Sequence, residues 1–263
     1  MTSAPASTVM EVRGVRTAVK EKGSGPPLLM LHGSGGPGPW RPYQDALAQH
    51  FRVIVPSHPG YGESERPDWI DSMDDMVYHY LDLLQKLGLS RTHILGTSLG
   101  GWIAAELAVG HSHVIDKLML VDPAGLKVPG MNLPDLFDIS EEDHTRLLFF
   151  DQKMAEDVIR DTPPATPEVL LERIKGQTTF ARLAWNPYLY NPKLGRRLHR
   201  VDRPTLIIWG REDAIIPYEN AALWTKAMPD AQLASIDQCG HAPHRERPEE
   251  LVRLVLDFLT EGA

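Results

Sequence analysis

The chain has 263 residues, 42% of them hydrophobic, and a net charge of −8 at pH 7. That length suits one large domain or two small ones and buries enough surface to fold without a metal or disulfide staple. A single cysteine, Cys239, excludes an intramolecular disulfide framework and fits a reducing compartment. The acidic balance, with Lys and Arg scattered along the chain, argues against nucleic acid or an anionic membrane as a partner. No apolar run approaches the ~18 residues that a membrane helix requires. The start, from Met1 to Thr8, lacks the basic and apolar regions of a secretory signal. The expectation is a globular protein of the cytoplasm.

After a small, polar tail, Val9–Val12 and Val15–Lys20 have strand composition on either side of Gly14. Leu28–Leu31 reads as a buried strand that stops at His32-Gly33. From there strands and helices alternate. Tyr43–His50 reads as a helix, Phe51–Pro56 as a strand and Met73–Leu87 as an amphipathic helix ended by Gly88. Thr92–Leu95 is a strand, Ser98–Val109 an Ala- and Leu-rich helix and Lys117–Val121 another strand. Later come a strand at Pro204–Trp209, a helix at Pro217–Met228, a strand at Gln232–Ile236 and a final helix at Pro248–Leu259. Strands alternating with helices imply an α/β fold: a mostly parallel sheet covered on both faces, with an antiparallel N-terminal edge.

The alternation fails between about Ala124 and Val201. Helical stretches at Glu141–Phe150 and Pro167–Thr178 are broken by prolines and accompanied by aromatics such as Phe137, Phe180, Trp185 and Tyr188. An insertion of that length and apolar content reads as a helical cap rather than a structureless loop. The expected organisation is therefore a core of residues 1–123 and 202–263 with a cap of residues 124–201 inserted between sheet strands.

Gly96-Thr-Ser98-Leu-Gly100-Gly101 follows an expected strand and opens an expected helix, the setting in which a G-x-S-x-G string holds a strained, exposed serine nucleophile. Larger side chains two residues before or after the serine would clash in so tight a turn. A serine needs a base, and the base needs an acid to orient it. In this architecture they follow in the order Ser, acid, His at the carboxyl ends of later strands. Arg211-Glu-Asp213 hangs from one such strand and Gln238-Cys-Gly-His241 follows the next. Asp213 and His241 are the expected acid and base, with Glu212 and His244 as their nearest rivals. His241-x-x-His244 is not expected to bind metal, because no third ligand has recognisable spacing. The oxyanion donors are expected at Leu99 N–H and in the loop His32-Gly-Ser-Gly-Gly-Pro-Gly38, with Ser34 preferred and Gly33 or Gly35 as alternatives. That loop has no following Lys-Ser/Thr pair to cradle a phosphate, and His32 reads as a structural hydrogen-bonding residue.

These strings together resemble the α/β-hydrolases with a serine nucleophile and a cap, a family resemblance that covers nearly the whole chain. It implies an eight-stranded core, a cap and the triad Ser98, Asp213 and His241. Haloalkane dehalogenases and epoxide hydrolases share the scaffold but carry aspartate where this chain has Ser98. Within the superfamily, Gly35-Gly-Pro-Gly38 and Val121-Asp-Pro-Ala-Gly-Leu126 are similar to the carbon–carbon bond hydrolases of aromatic ring cleavage. The resemblance implies a substrate-facing cap arginine, which Arg173 matches. The chain departs from that pattern at Ala242, where a tryptophan is usual, and at Ser57, where aspartate is usual.

The expected activity is hydrolysis of a small, largely apolar carbonyl substrate, either a carboxylic ester or the carbon–carbon bond of a ring-fission product. Ser98, Asp213 and His241 are its catalytic residues, Ser34 and Leu99 its oxyanion hole, and Gly35, Arg173 and Trp185 its substrate contacts. No cofactor is expected; a homodimer is left open. A ligand-binding receptor or a cofactor-free lyase or oxygenase built on the same scaffold is the competing class.

Overall fold

Alternate residues of a strand face opposite sides of its sheet, so the run Leu28-Leu-Met-Leu31 supplies apolar side chains to two separate cores. In a computed structural model that describes residues 3–228 and 230–260, this is how the molecule divides. Of the expected N-terminal tail, Met1 and Thr2 lie outside the described residues. One sheet contains eight strands in the order β1-β2-β4-β3-β5-β6-β7-β8. In chain order they are β1 (Ser7–Val12), β2 (Val15–Lys22), β3 (Pro27–Leu31), β4 (Arg52–Pro56), β5 (Thr92–Thr97), β6 (Ile115–Val121), β7 (Thr205–Gly210) and β8 (Gln232–Ile236). The β1–β2 and β2–β4 ladders are antiparallel and the others parallel, as the alternation implied.

The helices on the core are α1 (Pro42–Leu47), α2 (Met73–Lys86) and α3 (Leu99–His111). On one face of the sheet Leu29, Ile94, Leu118 and Trp209 pack with the buried sides of α2 and α3. On the other, Leu28, Met30, Leu95, Met119 and Ile208 pack with Leu47 of α1 and with Leu251, Val255 and Phe258 of the C-terminal helix. Helix α3 is buried nearly all round, which explains its lack of a polar stripe.

Between β6 and β7 lie α4 (Glu141–Leu148), α5 (Gln152–Asp161) and α6 (Pro167–Ala184), followed after β7 by α7 (Ala221–Ala227), α8 (Pro243–Glu246) and α9 (Pro248–Thr260). Among the described residues from 124 to 201 the β pairing is an isolated bridge between Gly125 and Tyr190. Helix α5, not expected from the sequence, starts where Asp151 Oδ1 accepts the Met154 N–H at 3.1 Å, an N-cap hidden in a polar stretch. Helix α6 outruns its expected end at Thr178 because Phe180, Leu183 and Ala184 find burial that spacing alone does not reveal. The helix expected at Tyr43–His50 ends earlier, at Leu47, as the chain turns into β4. The expected Pro217–Met228 helix begins as a 3₁₀ turn over Tyr218–Asn220. There Asn220 Oδ1 accepts Val128 N–H and its Nδ2 donates to Pro217 O.

Candidate active site

At the carboxyl end of β5 the chain must reverse into α3 within a few residues. A Cβ on Gly96 would stand 2.4 Å from Gly100 O, and one on Gly100 would stand 2.2 Å from Leu31 O, so neither position accepts a side chain. Ser98 between them has φ 53° and ψ −115°, a conformation that L-residues avoid. Three backbone bonds hold it there: Ser98 N–H donates to Val121 O at 2.9 Å, and Ser98 O accepts from Trp102 N–H and Ala124 N–H at 3.0 and 3.1 Å. The serine thus stands at the N-terminus of α3, where the first amides, Leu99 among them, have no carbonyl partner inside the helix.

The loop after β3 lies directly over it. A Cβ built on Gly33 would be 3.4 Å from Ser98 Cβ. Gly36 N–H closes a turn onto Gly33 O at 3.1 Å. The loop is anchored by His32, whose Nδ1 donates to Gly33 O at 2.7 Å and whose Nε2 accepts the His58 N–H at 3.0 Å. His58 Nε2 donates to His32 O at 2.7 Å, and the two rings stack with centroids 3.7 Å apart. Burial first, and then His58, hold the His32 pKa well below the ordinary range, so this ring stays neutral. Its bonding is structural.

Asp213 and His241 meet at the ends of β7 and β8. His241 Nδ1 donates to Asp213 Oδ2 at 2.6 Å, and Asp213 Oδ1 accepts the Ile215 and Ile216 N–H groups, each at 2.8 Å. Both side chains are buried. Burial opposes the charged imidazole, but the charge and hydrogen bond of Asp213 act against burial, and the His241 pKa is raised above 6.5. With Nδ1 committed to Asp213, Nε2 is the nitrogen left to act as a base. Ser98 and His241 line one cavity of about 410 Å³ without a hydrogen bond between them.

The rivals are otherwise engaged. Glu212 Oε2 accepts the Cys239 N–H at 3.0 Å. His244 lines the cavity against the Tyr43 ring, but burial, with Arg41 and Arg245 next, pushes its pKa down to about 3.

Gly33, Ser34, Gly35 and Arg173 all line the same cavity, and Leu136 and His144 reach it from the segment between β6 and β7. Arg173 on α6 is ion-paired with Glu141 of α4. Trp185, an expected substrate contact, does not line the cavity: it is 59% exposed and packs on Phe137, with ring centroids 5.0 Å apart. At ~100° per helical residue, Trp185 is turned well away from the face that carries Arg173. Arg41, Arg173 and Arg245 line the cavity beside Leu136, Leu148 and Ile215, and Glu141 and Glu172 line an adjoining cavity that shares Arg173. Arg41 and Arg245 carried no signal in the sequence, since both lie in segments remote from the inserted helices and from each other.

A further carboxyl group was passed over. Asp122, which follows β6, is buried and has φ 44°. One side-chain atom from each of Asp122, Asp213 and His241 lies within 4.8 Å of the others. Its place one residue beyond a strand's carboxyl end was the available signal, the same one that pointed to Asp213.

Comparisons with known proteins fit this geometry. A family profile described as the alpha/beta hydrolase family matches residues 28–254. The chain is 32% identical to a 2-hydroxymuconate semialdehyde hydrolase of Pseudomonas sp. (strain CF600), over 95% of this chain and 92% of that one. It is 29% identical to a 2-hydroxy-6-oxo-6-phenylhexa-2,4-dienoate hydrolase of Burkholderia cepacia, over 94% and 92%. Among solved structures, a meta-cleavage product hydrolase from Pseudomonas fluorescens IP01 superposes with a TM-score of 0.82 at 25% identity, covering 97% of this chain and 98% of that one. Among the described residues, no helix is long and apolar enough to cross a membrane.

Proposed function

Because the chain belongs to the α/β hydrolase family, we propose that it is a serine hydrolase that cleaves the carbon–carbon bond of a ring-fission dienoate, with Ser98, His241 and Asp213 as its triad and residues 124–201 as a cap. The observation that carries this reading is the 2.6 Å Asp213–His241 bond, with His241 lining the same cavity as the strained Ser98. The names of the relatives support the substrate class. So does Arg173 on the cavity wall, since a guanidinium suits a carboxylate and here already holds that of Glu141.

In the reaction, His241 Nε2 takes the Ser98 proton as Oγ attacks the substrate ketone. The oxyanion is received by the Leu99 and Ser34 amides, with Gly35 bordering the same space. The C–C bond then breaks, its electron pair spreads into the dienoate, and His241 returns the proton to that fragment. Water, activated by the same base, releases the acid from Ser98. Asp213 stabilises the imidazolium in each half-reaction. Arg173 holds the carboxylate that marks the substrate.

The test is a panel comparing a ring-fission dienoate with simple p-nitrophenyl esters, run on wild type and Ser98→Ala. Dienoate turnover is expected to exceed that of esters in kcat/KM, and Ser98→Ala to lower kcat by about 10⁴-fold or more. Undiminished activity in Ser98→Ala overturns the triad, whereas ester preference overturns only the substrate class. Labelling by a fluorophosphonate without turnover of any of these would instead favour a binding protein.

A further inference from the structure

Asp122 is a fully buried carboxyl group that the proposed reaction does not use. Its backbone N–H donates to Ile208 O at 2.9 Å, and its Oδ1 accepts the Gly210 N–H at 2.8 Å, so it is tied to the end of β7 where the chain leaves for Asp213. That bond accounts for one oxygen only. Oδ2 is buried and has no hydrogen-bond partner among the described residues. A residue kept merely to satisfy Gly210 would need a single acceptor, and a second oxygen buried without a partner adds a cost that such a role does not require. The left-handed backbone at φ 44° is a second unfavourable feature at the same position. Both occur where Asp122, Asp213 and His241 approach within 4.8 Å.

From this juxtaposition we infer that Asp122 is a second acid of the site, a positioning residue that can take over the His241 ring when Asp213 does not hold it. The inference rests on the reading of Ser98, His241 and Asp213 as the triad. The charged and titratable groups around Asp122 are Asp213 on the loop after β7, His241 and the Cys239 thiol on the loop after β8, and Glu246 on α8. Burial first, and then the charge of Asp213, hold the Asp122 carboxyl well above the ordinary carboxylate range. Asp122 therefore resists ionising beside Asp213, and with Oδ1 accepting from Gly210, Oδ2 is the oxygen left to carry a proton. Removing Asp213 removes the neighbouring negative charge, which leaves burial, and after it Glu246, opposing the Asp122 carboxylate, with His241 as its counter-charge. The Asp122 carboxyl is then free to accept the His241 Nδ1–H in place of the missing acid.

The experiment is a double-mutant cycle of Asp213→Ala and Asp122→Asn, read as kcat/KM and its pH profile on whichever substrate wild type turns over. Where a triad has one acid, disabling that acid costs about 10⁴-fold in kcat. Here Asp213→Ala is expected to lose less than about 100-fold, and the double variant at least another 100-fold. The midpoint of the pH profile should stay higher in Asp213→Ala than in the double variant, because a carboxylate still faces the imidazole. A full loss in Asp213→Ala that Asp122→Asn does not deepen overturns the inference. If Asp213→Ala does not fold by circular dichroism, infrared spectra of wild type at neutral pH decide. A protonated-carboxyl band that disappears in Asp122→Asn is expected, and its absence in wild type overturns the inference. Failure of wild type to be labelled at Ser98 by a fluorophosphonate would instead sink the triad, and this inference with it.

Discussion

An imidazole can take a proton from serine only while it is neutral, and His241 is set against that need. The Asp213 charge that orients the ring also favours its protonated form. The rate of a His241-dependent step is therefore expected to rise with pH through a midpoint above 6.5, the ordinary value from which the His241 pKa is raised. A kcat/KM profile measured on the free enzyme checks this, and a midpoint below that value would mean that Asp213 does not stabilise the imidazolium of His241. Arg173 poses a different question of the same size. Its guanidinium is shared with Glu141 at the cavity wall, so substrate carboxylate and Glu141 compete for it. Arg173→Gln is expected to lower kcat/KM for a dienoate by about 10–100-fold, the range for a lost charge-assisted hydrogen bond, and that for a neutral ester by less. Equal losses on the two substrates would make Arg173 a structural partner of Glu141.

The β5–α3 turn is an element whose chemistry depends on what it excludes. Gly100 touches the backbone of Leu31, at the end of the neighbouring strand, so a methyl group there collides with atoms that cannot move without shifting β3. Gly100→Ala is expected to destabilise the fold by about 3 kcal/mol, the upper part of the usual overpacking range. It should also abolish fluorophosphonate labelling of Ser98. Thermal unfolding and labelling measured together check both, and a stable variant that still labels would contradict the crowding. Elements of this kind were readable from the sequence because a glycine, a strand run and a helix run occur in fixed order. Helix α5 was not, because its polar face dominates a short segment that buries little beyond Ala155.

Across the whole molecule, burial has left several histidines neutral, outweighing the charge of Asp82 at His79. Burial pushes His58 and His79 down to about 4, and His244 down to about 3. A histidine depressed in the folded state binds its proton more readily once unfolded. Stability from these groups is thus present above the unfolded value of about 6.5 and is lost as pH falls toward the folded values. His241 and Asp122, both raised, act in the opposite direction. The urea midpoint is expected to fall between pH 6.5 and 4, and His79→Gln to flatten that fall. An unchanged slope in His79→Gln would mean that this ring is not held neutral by burial. The same division by scale separates what could be read early from what could not. Strand-to-helix alternation, the tight turn at Ser98 and the order Ser98, Asp213, His241 are local or sequential properties, and the chain alone carried them. That Trp185 packs on Phe137, that Arg41 and Arg245 join Arg173 around one cavity, and that Asp122 comes within 4.8 Å of Asp213 and His241 are matters of distance between segments far apart in the chain. Only the packing of the folded sheet and its inserted helices sets such distances, because no side-chain periodicity encodes them.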